Sequence, residues 1–92
     1  MSDVFAALAH PVRRKILKLL RNGPMSAGDL AAGFELAKPT LSGHFAVLKA
    51  ADLVTSERKG TTILYRLNTS VLEEALAALM SIAGAKSSGE EP

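Results

Sequence analysis

Apolar residues recur at helical spacing in five stretches of this chain and alternate in one, and the order of those stretches predicts the elements. Phe5 and Leu8 share one side of a short helix over Asp3–Ala9, with Ser2 as its cap. His10-Pro11 interrupts it. Pro11 then opens a second helix to Arg21, since the missing proline N–H has no intrahelical partner at a first position. Along that helix Val12, Ile16, Leu19 and Leu20 face inward, leaving Arg13, Arg14, Lys15, Lys18 and Arg21 outside as a solvated basic face.

The turn residues Asn22-Gly23-Pro24 end this helix, and Ser26 with Asp29 three positions on forms a capping-box-like start to a third, Ala27–Phe34. After Glu35-Leu36-Ala37-Lys38, Pro39 again marks a helix beginning, over 37–50, whose Leu41, Phe45 and Leu48 repeat at i, i+4 and i+7. Its other face shows Lys38, Thr40, Ser42, Gly43, Ala46 and Lys49, without a carboxylate that would repel phosphate. Leu53–Arg58 and Thr62–Leu67 read as strands, the second alternating through Ile63, Tyr65 and Leu67, around a bend at Lys59-Gly60-Thr61. Thr69 caps a last helix over Ser70–Ala83. Helix, turn, helix and basic hairpin in this order outline a mainly α fold with a small β-hairpin, a winged helix-turn-helix suited to duplex DNA.

Composition narrows the class further. The 92 residues are 48% hydrophobic and 22% charged, as expected of one globular domain over 1–83 followed by a disordered Gly-, Ser-, Glu- and Pro-containing tail, 84–92. With no Cys there is no disulfide scaffold, thiolate zinc site or thiol switch. No apolar run approaches the roughly 20 residues of a membrane span, and the N-terminus lacks the basic-then-apolar order of a signal peptide, so a cytoplasmic location is expected. The net charge of +2 is unevenly spread. Residues 1–68 hold ten Lys or Arg against five Asp or Glu, and 69–92 hold one Lys against four Glu. The basic part coincides with the helix-turn-helix and hairpin, where phosphate neutralisation releases counterions.

Chemistry-bearing side chains are few. Two His lie 34 positions apart, and with no Cys they suggest neither a catalytic triad nor a metal site, so an enzyme is not expected and no cofactor or metal is predicted. His10, between an apolar helix and a proline, is read as a structural hydrogen-bonding residue. His44 stays open between a contact to base or phosphate and a place at the core margin. Lys38 and Ser42 fall where groove-entering helices touch bases, and Arg58 and Lys59 suit phosphate or the minor groove. Phe45 and Tyr65 are assigned to the core.

The last helix carries two apolar seams, Leu72, Leu76 and Leu79 beside Val71, Ala75, Ala78 and Ile82, which leave too little polar surface for a helix exposed on one side. A small core cannot bury both, and Phe5 and Leu8 add apolar area, so a homodimer joined by the first and last helices is expected.

The segments FAALAHPVRRKILKLL, MSAGDLAAGFELAKPTLSGHFAVLKAADLV and RKGTTILYRLN, in this order over about Val4–Leu79, resemble the ArsR-type family of dimeric winged-helix repressors, and within it the small autorepressor subgroup that lacks metal-binding motifs. The resemblance implies a homodimer on a pseudo-palindromic operator of double-stranded DNA, with the Ala37–Ala50 helix in the major groove and the wing, 58–62, on the backbone or minor groove. It also implies release by an inducer, here either a membrane-embedded receptor or a small molecule. The implied DNA contacts are Lys38, Pro39, Thr40, Ser42, Gly43, His44, Lys49, Arg58, Lys59 and Thr61, and the implied dimer contacts are Val4, Phe5, Leu8, Leu72, Leu76, Leu79 and Met80. Three positions depart from the family pattern: Ala37 replaces a frequent capping Ser, Gly43 replaces a long polar residue, and Asp52 stands where Gly is usual, which places a non-Gly residue in the left-handed region. Metal-sensing members use a Cys-x-Cys-type motif, or Asp and His pairs on the last helix; this chain offers only Glu73 and Glu74 there, about 100° apart around the axis.

The competing reading is a winged-helix module that docks proteins without binding specific DNA, since fold does not fix function. An acidic or apolar outer surface on recognition helix and wing would favour it, whereas Lys38, Lys49, Arg58 and Lys59 favour DNA.

Overall fold

A computed structural model describes residues 3–84. The elements are α1 (Val4–Leu8), α2 (Pro11–Leu20), β1 (Met25–Ser26), α3 (Ala27–Ala31), α4 (Lys38–Ala50), β2 (Val54–Lys59), β3 (Thr62–Leu67) and α5 (Thr69–Ala83). Helices and one small antiparallel sheet thus form the expected winged helix-turn-helix. Residues 85–92 of the expected tail, and Ser2, lie outside the described residues.

Local chemistry sets the helix starts. The cap of α1 is Asp3, whose Oδ1 accepts from the Phe5 N–H at 2.8 Å. His10 caps α2, its Nδ1 accepting from the Val12 N–H at 3.1 Å, the structural role expected of it. Ser26 Oγ accepts from the Asp29 N–H at 3.0 Å and starts α3, which ends at Ala31, three residues short of the expected Phe34. Ala37 leaves α4 without a side-chain cap, as its missing hydroxyl predicts. At α5 the cap position falls on Asn68, also without a side-chain bond, and Thr69 is the first helical residue instead of the cap. Asp52 adopts φ 62° after α4, confirming the left-handed conformation.

The sheet has the order β1-β3-β2. Strand β2 pairs with β3 from Val54↔Leu67 to Lys59↔Thr62, closing at Gly60-Thr61, where Gly60 takes φ 64°. The first strand, Met25↔Tyr65 and Ser26↔Leu64, was not legible in the sequence. Two residues show no alternation, and only the free edge of β3 recruits them into the sheet.

Ala7, Ile16, Leu17, Leu20, Leu30, Leu41, Phe45, Leu48, Ala51, Leu53 and Val54 form one core. Leu17 belongs to it although helical spacing alone did not mark it as inward; Val12 and Leu19, expected inward, are only half-buried. Phe45 and the half-buried Tyr65 pack with ring centroids 4.7 Å apart, so both aromatic residues join the core as expected. Leu48, fully buried, ties α4 to this centre; a cavity there would cost about 2–5 kcal/mol. Because α4 packs against α1, α2 and β2, its outward face is held rigidly.

Candidate nucleic-acid interface

Burial of Leu41, Phe45 and Leu48 fixes which way α4 turns its remaining side chains. Lys38, Pro39, Thr40, Ser42, Gly43 and Lys49 are all exposed. At 3.6 residues per turn Lys38, Ser42 and Lys49 fall along one flank, whereas Pro39, Gly43, Ala46 and Ala50 lie opposite the core. Lys38 and Ser42 also edge a hollow of about 200 Å³ at the elbow with α3, lined further by Ala27, Gly28, Ala31, Leu41 and Phe45.

At the hairpin tip Arg58, Lys59 and Thr61 are exposed. The neighbouring Arg66 is engaged elsewhere, 3.5 Å from Glu57 across the two strands, in a pair half open to solvent and of little energetic weight. It is the only ion pair among the described residues, so Glu57 is matched and the cations at the tip have no carboxylate partner.

His44 stands apart from the other candidates. It is half-buried, its Nδ1 lies 3.1 Å from Arg13 Nη1, and its ring centroid is 4.5 Å from that of His10. Arg13 in turn donates from Nε to Ala7 O at 2.8 Å and from Nη2 to Ala6 O at 3.1 Å, and Arg14 Nη1 donates to Leu8 O at 2.9 Å. Both arginines therefore donate at the carbonyl end of α1, where Ala6 O also accepts from the Ala9 N–H at 3.1 Å. Lys15 Nζ donates to Gly33 O at 2.7 Å and lies 4.7 Å from the Phe34 ring centroid. Arg14 and Lys15 stay exposed on the basic face as expected and Arg13 is half-buried, while all three also donate to protein backbone oxygens. Residues 31 apart meet at Arg13–His44, a separation at which local pattern carries no signal.

Desolvation, then the nearby His10 and Arg13, lower the pKa of His44 below its ordinary value and favour the neutral ring. The Arg13 guanidinium disfavours a metal cation beside the two imidazoles, and no group of three His, Cys, Asp or Glu among the described residues could hold one. Glu73 and Glu74 are exposed on α5.

The expected dimer residues divide. Val4, Leu8 and Leu72 pack partly against the core of this chain, Met80 is half-buried, and Phe5, Leu76 and Leu79 are exposed. Ile82, of the adjacent seam, is exposed at 82%. Among the described residues no helix is long and apolar enough to cross a membrane.

Comparison with known proteins agrees with this arrangement. The family model described as a helix-turn-helix domain matches residues 8–57. The chain is 47% identical over 76 residues to the transcriptional repressor SdpR of Bacillus subtilis, covering 83% of this chain and 84% of that protein. It is 37% identical over 73 residues to the arsenical resistance operon repressor of Staphylococcus xylosus, covering 79% and 70%. Among solved structures, a possible transcriptional regulator for arsenical resistance superimposes with a TM-score of 0.82 at 33% identity, covering 89% of this chain and 85% of that one. NolR from Sinorhizobium fredii gives 0.70 at 35% identity, covering 89% and 82%. The helix-turn-helix match, these repressor relatives and the shared winged architecture place this chain in the ArsR-type family of DNA-binding transcriptional repressors.

Proposed function

We propose that the protein represses transcription, its own promoter included, as a homodimer on a pseudo-palindromic operator, with α4 in the major groove and the β2–β3 tip on the backbone or minor groove. The observation that carries this reading is charge: α4 has no carboxylate, Lys38 and Lys49 are exposed on its flank, and Arg58 and Lys59 are exposed at the hairpin tip. Phosphate oxygens supply the complementary charge, and the uncapped first turn of α4 adds N–H groups that favour an anion. Lys38, Thr40 and Ser42 contact base edges or the adjoining phosphates, as do Pro39 and Gly43 by close approach; Lys49, Arg58, Lys59 and Thr61 position the duplex. His44 is turned toward Arg13 and His10, which supports a role in holding α4 instead of touching a base.

The apolar surface of Phe5, Leu76, Leu79 and Ile82 supports the two-fold association. Such a dimer sets two α4 helices about 34–36 Å apart, one helical turn of B-DNA. A protein-docking surface would be expected to be acidic or apolar, whereas α4 and the hairpin tip carry Lys38, Lys49, Arg58 and Lys59.

Sequencing genomic fragments recovered with the purified protein tests the reading, the expected result being enrichment of a few palindromic sites including its own promoter. On such a site Arg58→Ala with Lys59→Ala should weaken every duplex and lower the salt slope by about 0.9 for each phosphate that is no longer neutralised. Equal slopes for the wild type and the double variant would remove the hairpin from the interface.

A further inference from the structure

Gly43 has no explanation within its own subunit. It lies in the interior of α4, it is exposed, and a Cβ placed on it would meet no atom within 4 Å. Its backbone is not in the left-handed region that would call for glycine. Alanine is the better helix former, because glycine loses more backbone freedom when ordered. Nothing inside the molecule opposes a side chain there, so the absence of one matters only to what approaches the helix.

Val47 is the second unexplained residue. It follows Gly43 by one turn, rotated by roughly 40°, and is a branched apolar side chain left 39% exposed while Leu41, Phe45 and Leu48 are buried. Pro39, Ala46 and Ala50 surround the pair on the face opposite the core, where Thr40 is the nearest hydroxyl. The flexible donors, Lys38, Ser42 and Lys49, stand to the side.

Resting on the DNA reading above, we propose that α4 selects its operator by thymine methyl groups, with Val47 as the contacting side chain and Gly43 as the gap that lets the helix backbone approach the base edges. In the major groove thymine is distinguished by its C5 methyl, an apolar feature. Bidentate recognition of guanine or adenine needs Arg, Lys, Asn or Gln, and the centre of this face holds none. Shape contact with a methyl group is the readout that a valine beside a bare backbone can make. A side chain at position 43 would stand between α4 and the groove floor.

The test uses the full-length protein and a genomic duplex recovered with it, each thymine replaced singly by deoxyuridine, which removes the methyl and keeps every hydrogen-bonding group. For the wild type, deoxyuridine at one or two positions per half-site should weaken binding about three- to fivefold, the value of one buried methyl. For Val47→Ala the same replacements should have almost no effect, and its affinity for the unmodified duplex should already be reduced. Gly43→Ala should raise the thermal midpoint of the free protein yet bind the operator at least tenfold more weakly. Sequence-specific binding with the same methyl dependence in wild type and Val47→Ala, or undiminished operator affinity of Gly43→Ala, overturns the thymine reading alone. A protein that binds every duplex alike overturns it together with the operator reading.

Discussion

The two long helices, α4 and α5, contain similar apolar side chains and meet opposite fates. Helix α4, 13 residues, buries Leu41, Phe45 and Leu48 and is flanked by α1, α2 and β2. Helix α5, 15 residues, buries only Ala75, touches the core through Val71 and Leu72, and leaves Leu76, Leu79 and Ile82 at 55%, 47% and 82% exposure. The difference teaches that apolar spacing specifies a face, while the number of neighbouring elements decides whether the face is covered. For α4 the rest of the chain supplies the cover, and apart from Val47, 39% exposed, what remains outside is small, polar or basic. For α5 it does not, and a contiguous apolar surface remains of the kind that marks a protein interface.

The contrast breaks first at α5. Replacing Leu76 and Leu79 by Glu should leave the winged core folded and yield a monomer by light scattering, because neither side chain is buried in the subunit. Specific operator affinity should fall by roughly a hundredfold or more, since two half-sites no longer reinforce one another. A wild-type monomer with full affinity for a single half-site would falsify the dimer.

A smaller effect sharpens the picture at α4. Ala37→Ser supplies the missing cap oxygen and should stabilise the fold by about 0.5–1 kcal/mol. For a domain of this size that is a rise of a few degrees in Tm, and calorimetry that finds no rise would mean the first turn is already satisfied by other means.

The smallest effect concerns the link between α1 and α4. The unfolded chain binds a proton at His44 near the ordinary value of about 6.5, whereas the folded state holds the ring neutral to lower pH. Unfolding then takes up a proton, so this contribution is complete above about pH 6.5 and is lost as pH falls through that value toward the folded pKa. His44→Gln, which keeps an oxygen for Arg13, should flatten the decline in Tm between about pH 7 and pH 5 relative to wild type. Parallel profiles for the two proteins would show that His44 does not contribute.

Much of the fold was legible because its signals are local. Leu41, Phe45 and Leu48 mark the buried stripe of α4 by spacing alone, His10-Pro11 starts α2, and the bend at Gly60 fixes the wing. Errors fell where the outcome depended on distant partners. The two-residue β1 exists because β3 offers an unpaired edge. Arg13 leaves its expected solvated position for a half-buried one because the carbonyl end of α1 lies beside it.

The sequence by itself determined the order of elements, the basic character of the wing and recognition helix, the absence of thiol chemistry and the surplus of apolar side chains on the last helix, because each depends on residue type and short spacing. Only the tertiary structure decided that His44 meets His10 and Arg13, that Leu17 and not Val12 completes the core, that Val47 stays 39% exposed and that the space beside Gly43 is open. These outcomes depend on which surfaces residues far apart in the chain bring together, and long-range packing leaves no periodic trace in the sequence.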